Sequence, residues 1–163
     1  MELTETQIKQ LLAPLPTWAV KKHPTKPTMS AIHPMAIIDR LNEVFGYSKW
    51  NFTTEFISCD KESQQVKEYK DGQPTGNTRT REVYVSAVKG RLEIEDMVIE
   101  QFGGSTNDDK GDALKGGATD ALTKIASYLG IAASIYKNQG NVDGYTQDGV
   151  DPEPQPEIPT IRR

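Results

Sequence analysis

The sequence predicts an α+β fold: an antiparallel β-sheet or hairpin block flanked by helices. Three observations carry the fold class. Apolar residues recur at helical intervals over 34–45 and again over 111–130. Between these stretches the spacing switches to period two, in "NFTTEFIS" and in "RTREVYVSAVKGRLEI". Asp71, Gly72, Pro74 and Gly76 separate the two alternating runs and suit a hairpin tip. Helix, antiparallel strands, helix is an α+β order rather than a repeating βαβ one.

Each element has its own local reason. Thr4 and Gln7 stand at capping-box spacing, Ile8, Leu11 and Leu12 follow at helical intervals, and Pro14 and Pro16 stop the run. A short amphipathic helix is expected there. "TWAVKKHPTKPTM" reads as an extended connector whose Lys21, Lys22 and Lys26 form a small basic run. In "HPMAIIDRLNEVFGY" Pro34 suits the first helical turn, Ile37, Ile38, Leu41, Val44 and Phe45 share a face, and Gly46 suits the exit. Phe52, Thr54 and Phe56 then alternate against Thr53, Glu55 and Ile57 as a strand does. On the returning strand Arg79, Arg81, Lys89 and Arg91 all fall on odd positions, so without a bulge they point to one side. Solvated strand ends are the plain alternative. "EDMVIEQFGG" is expected to be a further strand after a tight turn near Asp96.

"GDALKGGATDALTKIASYLG", residues 111–130, reads as a helix with an apolar stripe of Leu114, Ala118, Ala121, Leu122, Ile125, Ala126 and Leu129, ended by Gly130. Gly116 and Gly117 in its middle each cost about 0.5 to 1 kcal/mol relative to alanine. The opposite arc, Gly116, Thr119, Asp120, Thr123 and Ser127, is flanked by Lys115 and Lys124. Small side chains there suggest that another surface comes close; alternatively, the glycines mark the helix start. Residues 1–138 are expected to form the domain, and 139–163, rich in Pro, Gly and acidic residues, a disordered tail.

Composition narrows the function. The chain of 163 residues, 36% hydrophobic and 26% charged, suits one globular domain. No membrane span or export signal is evident, and a cytoplasmic location is expected. Cys59 has no second cysteine, and His23 and His33 give no zinc-ligand spacing. The net charge of −4 disfavours polyanion binding until its distribution is considered. Residues 1–140 carry 17 basic and 18 acidic side chains, and 141–163 carry 2 and 5, so the body is near neutral. Gly111 and Gly116 have the spacing of a phosphate-binding loop, but Gly117, Ala118 and Thr119 stand where Lys and Ser or Thr are required. No catalytic constellation stands out, and neither an enzyme activity nor a cofactor is expected.

Two stretches, "IIDRLNEVFGYSKW" (37–50) and "KGGATDALTKIASYLG" (115–130), bracket the strand-rich block. Together they resemble the annealing domain of the Rad-fifty-two family of recombination proteins. The likeness spans roughly residues 8–137, and "APLPTWAVKK" is similar to the proline-containing segment that opens microbial and phage members. The resemblance implies ATP-independent binding of single-stranded DNA in a groove around a ring of subunits, and annealing of complementary strands in recombination and repair. It implies a homo-oligomer in the cytoplasm of a bacterial or phage-infected cell, with a recombinase, nuclease or single-strand-binding protein as partner.

Residue by residue, Tyr47 and Trp50 match family aromatics, and Lys115 and Lys124 match basic positions, with Lys124 the expected phosphate contact. Tyr47 and Trp50 read equally as core or interface aromatics, and Lys124 as a solvated helix lysine. Thr123 and Ser127 replace basic residues of the animal members, and Ala36 replaces a DNA-contacting arginine. Arg40, Lys49, Arg79, Arg81, Lys89 and Arg91 are the candidates to restore the missing positive charge. A ring-forming regulatory protein without DNA binding is the alternative reading.

Overall fold

In the computed structural model the described residues are 2–22, 30–70, 73–133 and 135. The first helix, α1 (Glu5–Leu12), starts through the expected capping box. Gln7 N–H donates to Thr4 Oγ1 at 3.2 Å, and Thr4 N–H donates to Gln7 Oε1 at 3.0 Å. Two donors that a helix end leaves unpaired are thereby satisfied. After a 3₁₀ turn (Thr17–Ala19) the segment read as an extended connector contributes a strand: β1 (Val20–Lys22) pairs antiparallel with β2 (Ser30–Ile32). The pairing joins residues eight to twelve apart, a link that local turn signals do not reveal. Lys26 and His23 lie outside the described residues.

His33 caps α2 (Pro34–Phe45) by accepting the Met35 N–H on Nδ1 at 3.3 Å, and Pro34 occupies the first turn. Gly46, with φ +91°, ends the helix in a conformation that glycine adopts without strain. Ile37, Leu41 and Val44 point into the core.

Strands β3 (Trp50–Lys70), β4 (Gln73–Ile94) and β5 (Met97–Asn107) form an antiparallel sheet in the order β3-β4-β5. The hairpin is longer than its turn residues suggested. Pro74 and Gly76 lie inside β4, where the ladder is irregular between Lys67 and Tyr69 and Thr75 Oγ1 donates to the Glu68 carbonyl at 3.2 Å. Asp71 and Gly72 lie outside the described residues. Ile57 is an extra residue on β3, between the pairs Phe56 with Val88 and Ser58 with Ala87. The turn from β4 to β5 is Glu95–Asp96, as the tight turn near Asp96 required. The β4–β5 ladder ends at the pair Tyr84–Asn107, and beyond it the β3–β4 ribbon continues as a largely exposed arm.

Helix α3 (Lys110–Tyr128) packs across β4 and β5, capped by Asp109, whose Oδ1 accepts the Asp112 N–H at 2.9 Å. Gly116 and Gly117 are therefore interior to the helix and do not mark its start. What comes close to them is the chain's own sheet. A Cβ on Gly117 would lie 2.8 Å from Ser86 Oγ and from Val88 Cγ2, and one on Gly116 would meet Ser105. From the other side, a Cβ on Gly103 of β5 would run into the backbone of Gly117 and Ala121. Close packing of this kind offsets the helix propensity that the glycines forfeit.

The buried stripe departs from the expected one only toward the start of α3. Ala121, Leu122, Ile125, Ala126 and Leu129 of the expected stripe are buried, but Leu114 and Ala118 are half-buried and Ala113 and Gly117 are buried instead, because the smallest side chains permit the nearest approach to the sheet. Buried Ser86 ties the seam by donating to the Ala113 carbonyl at 2.6 Å. Leu11, Ile37, Leu41, Leu92, Ile94 and Ile125 make the centre of the core, where α1, α2 and α3 meet one face of the sheet.

Candidate nucleic-acid interface

Helical geometry separates two of the expected contacts. Lys115 and Lys124 are nine residues apart, so at about 100° per residue they point to opposite sides of α3. Lys115 Nζ pairs with Asp112 Oδ1 at 2.7 Å, and that hydrogen bond holds the Lys115 ammonium above its ordinary pKa. Lys124 Nζ reaches toward β5, 2.7 Å from Asp120 Oδ2 and 3.2 Å from the Phe102 carbonyl oxygen. Asp120 Oδ2 also accepts the Gly104 N–H at 2.9 Å. Side chains of α3 thus occupy two backbone groups on the open edge of β5, which an unpaired strand would otherwise present.

Strand alternation decides what lies beside Lys124. Gly103 faces α3, so Phe102 points to the other side of the sheet, where it is 61% exposed. Its direct cross-strand partner is Lys89, and Arg91 stands opposite Glu100. Glu100 bridges both cations, Oε2 to Lys89 Nζ at 3.0 Å and Oε1 to Arg91 Nη1 at 3.2 Å. Hydrogen bonds from Lys89 and then Arg91 hold the Glu100 carboxyl below its ordinary pKa. Arg91 Nε also pairs with Glu93 at 2.8 Å. The face is a lattice of alternating charges around an exposed aromatic ring.

Sequence reasoning did not single out Phe102. The available signal was its neighbour: once Gly103 must face a helix, the preceding residue must face away. The four odd-numbered cations of β4 divide into two groups. Arg79 and Arg81 lie toward the arm, and eight residues, roughly 26 Å of strand, separate Arg81 from Lys89. Arg81 Nη2 pairs with Asp108 Oδ2 at 2.8 Å, holding that carboxyl below its ordinary range. Arg79 is exposed.

At the other end of the sheet, Tyr47 and Lys49 are exposed in the turn after α2, Tyr47 at 81%. The pair Trp50–Ile94 lies five residues, roughly 17 Å, from Lys89. Trp50 is half-buried and donates from Nε1 to Asn42 Oδ1 at 3.0 Å, which ties the start of β3 to α2.

Arg40 packs against the end of α1. It is 8% exposed, and its guanidinium donates to the carbonyls of Gln10, Ala13 (2.8 Å) and Pro14 (3.0 Å), while Nε pairs with Glu43 at 3.2 Å. It satisfies carbonyls at the end of α1 and is turned inward. Ala36 is buried. Thr123 Oγ1 donates to the Thr119 carbonyl and Ser127 Oγ to the Lys124 carbonyl, so both hydroxyls are engaged within the helix. Of the expected contacts, Lys89 and Arg91 share the sheet face of Phe102, and Lys124 reaches the Phe102 carbonyl at the edge of β5 from the helix side. Lys115, Arg79, Arg81, Tyr47 and Lys49 lie elsewhere on the surface.

A helix-backed antiparallel sheet that presents cations around an exposed ring is, as a class, suited to a polyanion that carries flat bases. The family model described as Rad52/22 family double-strand break repair protein matches residues 4–150, and the chain belongs to that family. Its setting is therefore DNA recombination and repair. Comparison with curated proteins gives no match. Among the described residues no helix is long and apolar enough to cross a membrane, and no cluster of three His, Cys, Asp or Glu could hold a metal ion.

Proposed function

We propose that this protein binds single-stranded DNA and anneals complementary strands, with residues 1–138 as the binding and self-assembly unit. The observation that carries the reading is the exposed Phe102 ring with Lys89 directly across the sheet and Lys124 at the adjoining edge. Lysine and arginine contacts hold phosphates by releasing counterions, and an aromatic face accepts any base. Neutralising one strand lowers the repulsion between two polyanions, so the second strand meets exposed bases more readily. No covalent step is required. Repetition of the face around a ring of identical subunits would multiply contacts that are individually weak. A recombinase, nuclease or single-strand-binding protein is the expected partner class.

One observation favours the alternative of a regulatory family member without DNA binding. Lys89, Arg91, Lys115 and Lys124 each have a carboxylate partner. The deciding experiment is annealing of complementary oligonucleotides at low salt with no nucleotide or metal added, beside a gel shift on single-stranded DNA. Acceleration is expected. Lys124→Glu is expected to weaken binding and to make its salt dependence shallower by about 0.7 in slope for one lost phosphate contact. Neither acceleration nor a shifted band at low salt would establish the regulatory reading instead.

A further inference from the structure

The phosphate contact expected of Lys124 is not freely available in the folded chain. Its ammonium is held 2.7 Å from Asp120 Oδ2 and donates to the Phe102 carbonyl at 3.2 Å, which uses two of its three donors. Asp120 is itself held from two sides. It sits one helical turn before Lys124, and the same oxygen accepts the Gly104 N–H from β5 at 2.9 Å. The ammonium therefore rests folded over the edge of β5 beside a fixed negative charge. An arriving phosphate must either take the remaining donor while facing that carboxylate or displace it.

We propose that Asp120 is an affinity-limiting residue of the strand-binding face, holding Lys124 in reserve so that bound DNA is released readily. The inference rests on the single-strand-binding reading above and deepens it. Glu100, bridging Lys89 and Arg91, applies the same restraint on the other side of Phe102. Such restraint suits annealing, since a protein that grips one strand too tightly retains the duplex it has made. The pair is half-exposed, so removing the charge is expected to matter by a few-fold rather than by orders of magnitude.

The test is a cycle of the full chain, Asp120→Asn, Lys124→Gln and the double variant, binding an oligo-dT probe from low to 0.3 M salt. Asparagine keeps an oxygen for the Gly104 N–H and loses only the charge. Asp120→Asn is expected to bind about two- to fivefold tighter, with a salt slope steeper by about 0.7, and to release annealed duplex more slowly. The gain should vanish in the Lys124→Gln background, where an effect on the fold alone would persist. Equal or weaker binding by Asp120→Asn overturns the inference, and so does a gain that survives without Lys124. If the unaltered chain fails to bind the probe at low salt, the DNA-binding reading itself falls, and this inference with it.

Discussion

Gly103→Ala tests the seam between α3 and β5, on which the whole candidate face depends. A Cβ at residue 103 would lie under 3.0 Å from the Gly117 carbonyl oxygen, Ala121 N and Ala121 Cα. All three obstacles are backbone atoms, so no side-chain rotation relieves them. The helix must retreat by about 1 Å, loosening contacts of Ala113, Gly117, Ala121 and Ile125 together, and overpacking of this kind costs about 3 kcal/mol or more. Gly117→Ala meets the Ser86 hydroxyl and a Val88 methyl, and alanine regains up to about 1 kcal/mol of helix propensity. Its net cost is expected to be about 1 to 2 kcal/mol. Gly111→Ala, exposed in the first turn and near only Asp109 Oδ1, serves as the control and is expected to be neutral or slightly stabilising. Urea unfolding followed by circular dichroism should rank the three in that order. Gly103→Ala within about 1 kcal/mol of the unaltered protein would refute the packing argument.

Two further outcomes follow from the charges. Arg40→Ala leaves carbonyls at the end of α1 without their donor and is expected to cost about 3 kcal/mol, measured by the same unfolding. Arg40→Lys should recover less than half, because an ammonium lacks the guanidinium fork, and neither change should alter the salt slope of DNA binding. Glu100 has its folded-state pKa lowered by Lys89 and Arg91, so its contribution to stability is present above its ordinary pKa of 4.5 and lost as pH falls through the depressed folded value. The melting-temperature difference between the unaltered protein and Glu100→Gln should therefore be constant near neutral pH and shrink in that acidic window.

The Thr4–Gln7 capping box, Pro34 at the start of α2, Gly46 at its exit and the turn near Asp96 were legible because each depends on residues within four positions of one another. The alternating runs announced an antiparallel hairpin, but Pro74 and Gly76 suggested a wider turn than the ladder leaves. The family resemblance was legible from the order of the two motifs, and the match over residues 4–150 supports it. The tail over 139–163 lies outside the described residues.

Local sequence by itself determined where helices start and stop and that strands alternate between them, since caps, turns and periodicity act over a few residues. Tertiary structure alone decided the roles of the charged and small residues. Arg40 finds its acceptors 26 to 30 residues back along the chain. Gly116 and Gly117 answer to a strand ladder whose nearest contacting residue, Ser105, is eleven positions from Gly116, and Gly103 sends Phe102 to the open face beside Lys89. Such assignments depend on which surfaces are brought together, and that is a property of packing at distances no periodicity encodes.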